Sequence, residues 1–191
     1  LWTKQDIKFN TVYTGFFNNY KQIDYICDYL KDKKVKIFVD PVLGDNGNRF
    51  KCFDDNYQKS LKKLVDIADY ISPNLTEACL LTDSNINEDP LEIIKKFKNK
   101  KVVITSIHKD NKIGYLVKDD DEIFHILNNK VKDELHGTGD VFASFLCAKM
   151  IQTNNFSESV IHAAKKTNDC ITATLKEKGH SIYGLNFENV I

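Results

Sequence analysis

The sequence predicts an α/β protein, with a mostly parallel central sheet and helices on both faces in a three-layer αβα arrangement. Three observations carry that prediction. Strand-like and helix-like segments alternate along the chain, the order that builds parallel sheets from βαβ units. Helix-like segments place their apolar residues at i, i+3, i+4 and i+7, on one face each. Residues of turn and binding type recur just after strands, at Gly15, Asp40 to Asp45, Ser72 to Glu77 and Thr105-Ser106, where ligands sit in such sheets.

The elements follow in order. Thr11-Val12-Tyr13-Thr14 is a short β-prone run that stops at Gly15. Residues 19–32 put Ile23, Ile26, Cys27 and Leu30 on one helical face. Val35 to Val39 is a strand, closed by Asp40-Pro41 because proline cannot continue the ladder. Residues 44–52 contain Gly44, Asn46 and Gly47 and read as a loop. A helix over 55–68 turns Leu61, Leu64, Val65 and Ala68 to one side. Tyr70-Ile71 is a brief strand before Ser72-Pro73-Asn74, and Leu75 to Leu81 is a short helix. A helix over 90–98 precedes a buried strand, Val102-Val103-Ile104-Thr105. Residues 113–117 and 122–127 read as a hairpin around Asp119-Asp120-Asp121, and helices over 138–152 and 157–176 finish the chain.

Composition narrows the class. With 191 residues, 42% of them hydrophobic, the chain can build one sizeable core, and a single domain over 1–191 is expected. Its 27 basic and 27 acidic residues balance, so no electrostatic footprint points to nucleic acid or an anionic membrane. No apolar run approaches the length of a membrane span. Five widely spaced cysteines, without a CxxC pair, read as free thiols of a reducing cytosol and exclude the common zinc spacings. The internal Lys132-Asp133-Glu134-Leu135 is not a retention signal, which must be C-terminal. The chain opens Leu1-Trp2-Thr3-Lys4-Gln5, without a signal peptide or an initiating methionine, and is expected to be a fragment.

Four stretches carry candidate chemistry. In Gly137-Thr138-Gly139-Asp140, two glycines let the backbone approach a ligand and a helix follows. Its amides then sit at the positive end of a helix dipole, suited to a transferring phosphoryl group, with Asp140 placed to take a proton from an attacking hydroxyl. The plainer alternative is a helix start with Thr138 as N-cap. In Asp40-Pro41-Val42-Leu43-Gly44-Asp45, two acids at a strand end could organise hydrated Mg²⁺, or simply face solvent in a turn. Ser72, Asn74 and Glu77 open a helix with the spacing of a capping box, and Glu77 could instead join a magnesium shell. Thr105 and Ser106 end a buried strand with hydroxyls that could touch phosphate.

In this order, these stretches resemble the ribokinase-like (PfkB) superfamily, and within its vitamin-kinase branch the pyridoxal/pyridoxamine kinase family. "YTGFFNNYKQID", "HGTGDVFAS" and "YGLNFE" add to the likeness, which spans nearly the whole chain. The resemblance implies a ribokinase-like fold and transfer of the γ-phosphoryl of ATP to the primary hydroxyl of a B6 vitamer. It implies Asp140 as base, with the amides of Gly137, Thr138 and Gly139 as anion hole. It gives Mg²⁺ to Glu77 and Asp45, and it sets Asp40, Ser72, Asn74, Thr105 and Ser106 around the phosphates and their cations. K⁺, used by family members, a homodimer and a cytoplasmic location complete the expectation. Members of the family carry a further N-terminal segment, with the first strands and residues that contact the vitamer ring. The chain is therefore expected to be N-terminally incomplete, with an exposed sheet edge. Two rival readings stand beside this one: a hydroxymethylpyrimidine kinase of thiamine synthesis, which shares the glycine motif, and a non-catalytic nucleotide-binding remnant.

Overall fold

A computed structural model describes residues 5, 7–130, 135–177, 184–188 and 190–191. In chain order the elements are β1 (Thr11–Thr14), α1 (Tyr20–Leu30), β2 (Lys36–Val39), β3 (Gly44–Asp45), β4 (Asn48–Arg49), α2 (Asp55–Ile67), β5 (Tyr70–Ile71), α3 (Leu75–Thr82), α4 (Pro90–Lys95), β6 (Lys101–Lys109), β7 (Lys112–Asp119), β8 (Glu122–Asn129), α5 (Thr138–Thr153) and α6 (Phe156–Lys176). Six strands form one sheet in the order β1-β2-β5-β6-β7-β8. The first four run parallel, and β7 and β8 extend the sheet antiparallel.

Side chains alternate across a strand, and here the alternation separates two cores. Ile37, Val39, Ile71, Val102, Ile104 and Leu116 pack with Ile23, Leu61, Leu64, Ala78 and Ile93 of the helices α1 to α4. Phe38, Tyr70, Val103 and Val117 point the other way, onto Phe142, Leu146, Met150 and Val160 of α5 and α6. The middle strands are thus covered on both faces, which is why they read as continuous apolar runs. Each fully buried Leu, Ile or Phe contributes about 1.5–3 kcal/mol. On the second face Tyr70 stacks between Phe38 and Phe156, with ring centroids 5.3 and 5.7 Å away.

The expected elements are present, with two differences. Residues 44–52, expected as a loop, contain the two-stranded hairpin β3–β4. Asn46 and Gly47 form its turn with φ of 50° and 78°, the left-handed pair that an Asn-Gly hairpin turn requires. The strand expected to end at Thr105 runs on to Lys109. A bulge between Ile104 and Ile107, with Ser106 at φ 60°, interrupts the alternation that would have signalled the continuation. Among the described residues, no helix is long and apolar enough to cross a membrane, and all five cysteines are free.

Candidate active site

The parallel ladder continues one residue past the strands: the Asp40 amide donates to Thr14 O (2.9 Å), the Ser72 amide to Val39 O (3.1 Å) and the Thr105 amide to Pro73 O (2.9 Å). Residues two apart share a face. Asp40, Ser72 and Thr105 therefore lie above Phe38, Tyr70 and Val103, on the side of the sheet covered by α5 and α6. The sequence motifs meet there because the register aligns the strand ends.

Asp40 is half-buried, and its Oδ2 accepts a hydrogen bond from the Tyr13 hydroxyl at 3.1 Å. Burial pushes its pKa up to about 6; the Tyr13 bond opposes the rise, the Asp140 carboxylate adds to it, and the Ser72 hydroxyl lowers it slightly. Ser72 Oγ is itself buried and has no partner at hydrogen-bond geometry. It lies beside the Asp40 carboxylate, whose charged form it favours. Tyr13 is shifted upward, first by burial and then by Asp40, with Asp140 contributing. Asp140, Asp40 and Tyr13 thus lie within one electrostatic neighbourhood.

Glu77 is only 6% exposed. Its Oε1 accepts from the Leu43 amide (3.0 Å) and its Oε2 from the Asn74 amide (2.8 Å). Asn74 Oδ1 accepts from the Glu77 amide in return (2.9 Å), closing the capping box at the start of α3. Asn74 Nδ2 donates to Gly44 O (2.9 Å), and the Gly47 amide donates to Thr76 Oγ1 (2.8 Å). The first turn of α3 therefore holds the whole 41–47 segment in place. Gly44 lets β3 and β4 close on each other, since a Cβ there would lie 2.4 Å from Asn48 O. Burial raises the Glu77 pKa to about 8 against the amide bonds, and Asp40 adds to the rise. One residue thus both caps α3 and places a buried acid within the field of Asp40.

The remaining expected residues occupy the rim. Asp45 is exposed and accepts from Asn46 Nδ2 at 3.2 Å. Thr105 is half-buried and bridges to Asn74; Ser106 is exposed at the bulge. Among the described residues, no three His, Cys, Asp or Glu side chains converge to hold a metal by themselves. This donor set suits Mg²⁺ that keeps waters and is shared with a polyphosphate.

At α5 the N-cap is Gly137, at φ 80°, rather than Thr138, and no side chain caps the helix. The first helical bond runs from the Val141 amide to Gly137 O (3.0 Å). The amides of Thr138, Gly139 and Asp140 precede that bond, in the first turn where helix amides lack an i−4 acceptor inside the helix. A Cβ at Gly139 would meet nothing within 4 Å, so the space over these amides is open. Every other α-helix has an Asn or Asp side chain at its N-terminus doing this work. Asp140, exposed in this first turn, stands among these first-turn amides and near enough to Asp40 to act on its charge.

The site is an open shelf. A cavity of 430 Å³ lies between α2, the end of α3 and the segment after α4, lined by Lys62, Leu81, Phe97 and Lys100, and takes in none of the site residues. A second, of 270 Å³, lies under α5, lined by Asn10, Phe38, Met150 and Asn154. Sequence reasoning missed Tyr13; its only signal was a polar aromatic two residues before Gly15. Tyr183, part of the "YGLNFE" likeness, and most of the KDEL stretch fall outside the described residues.

Comparison with known proteins follows from this geometry. The family model described as phosphomethylpyrimidine kinase matches residues 3–185. The chain is 34% identical over 157 residues to pyridoxal kinase of Dictyostelium discoideum, covering 71% of this chain and 52% of that protein. It is 28% identical over 184 residues to hydroxymethylpyrimidine/phosphomethylpyrimidine kinase of Haemophilus influenzae, covering 90% of this chain and 67% of that protein. The chain thus spans about half the length of the first and about two thirds of the second. A crystal structure from Bacteroides thetaiotaomicron, assigned to the phosphomethylpyrimidine kinases and containing pyridoxal, superposes with a TM-score of 0.87 at 27% identity, covering 99% of this chain and 72% of that one.

Proposed function

The chain belongs to the phosphomethylpyrimidine kinase family, and from that premise we propose that it transfers the γ-phosphoryl of ATP to the primary hydroxyl of a B6 vitamer. One observation carries the proposal: an exposed carboxylate, Asp140, stands in the first turn of a helix that no side chain caps, beside the half-buried Asp40. Phosphoryl transfer needs positioning and charge neutralisation more than covalent chemistry. The acceptor hydroxyl loses its proton to Asp140 as its oxygen bonds to the γ-phosphorus. The bond from that phosphorus to the bridging oxygen breaks, and its electrons leave on ADP. The amides of Thr138 and Gly139, with Gly137 shaping the turn, receive the charge on the moving group.

Asp40, Ser72, Asn74, Thr105 and Ser106 surround the phosphates in this reading, and Glu77 and Asp45 serve Mg²⁺, with the buried Glu77 also holding the loop that carries Asp45. When bound, Mg²⁺ neutralises charge on the phosphates. The orphaned Ser72 hydroxyl beside a carboxylate fits such a hard cation, or the K⁺ that the family likeness adds. The same likeness extends the proposal to a homodimer in the cytoplasm. The Dictyostelium relative and the pyridoxal-containing neighbour support a B6 vitamer. The family model and the Haemophilus relative favour the second reading, hydroxymethylpyrimidine as acceptor.

Turnover of pyridoxal, pyridoxamine and hydroxymethylpyrimidine by the purified protein separates these readings, and the largest kcat/KM is expected for a B6 vitamer. Asp140→Asn should lower kcat by roughly 10²–10⁴-fold, the worth of a positioned base, with the affinity for Mg·ATP nearly kept. Normal turnover by that variant would remove Asp140 from its role. Binding of Mg·ATP without transfer to any of the three acceptors would leave only a nucleotide-binding remnant.

A further inference from the structure

We propose that Tyr13 is a positioning residue of the transfer site: its hydroxyl, reaching Asp40 across the β1–β2 edge, sets the orientation in which Asp40 faces the phosphates. The inference rests on the phosphotransferase reading above and extends it to a residue given no role in the sequence reading. Three features of the fold place the hydroxyl there. Tyr13 is in register with Phe38, and the rings lie 6.3 Å apart, so the tyrosine occupies the α5 face shared by Asp40 and Ser72. The next position of β1 on that face is Gly15, opposite Asp40 in the continued register. The phenol passes over Gly15: a Cβ there would lie in ordinary contact with the Tyr13 hydroxyl oxygen (3.8 Å) and Cε1 (3.9 Å). The hydroxyl then donates to Asp40 Oδ2 at 3.1 Å.

The backbone of Asp40 is already pinned to Thr14 O, and Pro41 restricts it from the other side. What stays free is the rotation of its carboxylate. A donor on one oxygen removes that freedom and leaves the other oxygen for the site. A donor also holds the group as a carboxylate beside Asp140 and above Glu77, the two acids whose fields oppose its charge or share it. Tyr13 is 40% exposed, and its hydroxyl bonds Asp40 rather than a core residue. The hydroxyl therefore does more for the site than for the core.

The test is a double-mutant cycle on the purified protein, with Mg·ATP binding read by calorimetry and ATP KM by steady-state kinetics. Tyr13→Phe keeps the ring, so its thermal midpoint should match the parent. In the parent background it should weaken Mg·ATP binding about three- to tenfold, the scale of one ordinary hydrogen bond, with most of the effect in the KM for ATP. In the Asp40→Asn background the same change should cost less than about 1.5-fold, because residues in contact do not add. Equal losses in both backgrounds, or no loss in the parent, would overturn the role of Tyr13 alone. Failure of the unmodified protein to bind Mg·ATP would overturn the phosphotransferase reading, and the positioning role with it.

Discussion

At the scale of single residues, the site departs from rules that most of the molecule obeys, the buried Thr167 hydroxyl of α6 being another exception. Helices are capped by Asn19, Asp54, Asn74, Asp89 and Asn155, and α5 alone among them starts on an uncapped left-handed glycine. Buried hydroxyls generally find partners, yet Ser72 Oγ does not. Local rules are broken where function compensates. Ser72→Ala should therefore be neutral or stabilising by up to ~1 kcal/mol without ligand, since an unpaired buried hydroxyl costs free energy. The same variant should bind Mg·ATP more weakly. Thermal unfolding with and without the nucleotide reads both effects, and a lowered midpoint in the free protein would contradict the first. Asp140 and Ser72 were legible as candidates because each follows a strand or glycine motif. Tyr13 was not, because its contact with Asp40 spans 27 residues and exists only through the β1–β2 register.

At the scale of elements, α3 is the organiser. It runs only from Leu75 to Thr82, too short to be stable alone. Its first turn ties down the 41–47 loop through Glu77, Asn74 and Thr76. Glu77→Ala would strip the Leu43 and Asn74 amides of their acceptor. At about 1–3 kcal/mol for each buried unsatisfied group, the loss should reach about 2–5 kcal/mol, and hydrogen exchange should rise first at Leu43 and Gly44. A loss below ~1 kcal/mol in urea unfolding would show that the loop holds without it. The capping box was readable from the Asn74–Glu77 spacing. Its second grip, on Leu43, was not, and neither was the β3–β4 hairpin, since two-residue strands carry too little pattern to separate from a loop.

At the scale of the molecule, two acids are carried into low-dielectric surroundings by the packing of both layers. The pKa of Asp40 rises to about 6 and that of Glu77 to about 8, both above the values near 4 of an unfolded chain. An acid shifted upward binds its proton more tightly when folded. The stability it contributes is complete below the unfolded value and is lost as pH rises through the folded one. The urea midpoint should thus decline between about pH 4 and pH 8, and Asp40→Asn with Glu77→Gln should flatten that decline. A midpoint that climbs through this window, or an unchanged slope in the double variant, would count against the burial of these charges. Binding of Mg·ATP should move oppositely, strengthening as the two carboxylates ionise.

By itself the sequence determined the order of strands and helices, the two-faced burial of the middle strands and the set of motifs, because periodicity and turn chemistry are local properties of the chain. Gly137 to Asp140 announced a helix entrance, and Ser72 to Glu77 a capping box, from spacing alone. Only the tertiary structure decided which of these residues meet. The parallel register lifts Asp40, Ser72 and Thr105 onto the α5 face, leaves Asp45 and Ser106 on the rim, and brings Tyr13 to Asp40. The physical reason is that strand register and layer packing arise from contacts between residues far apart in the chain, which no local pattern encodes.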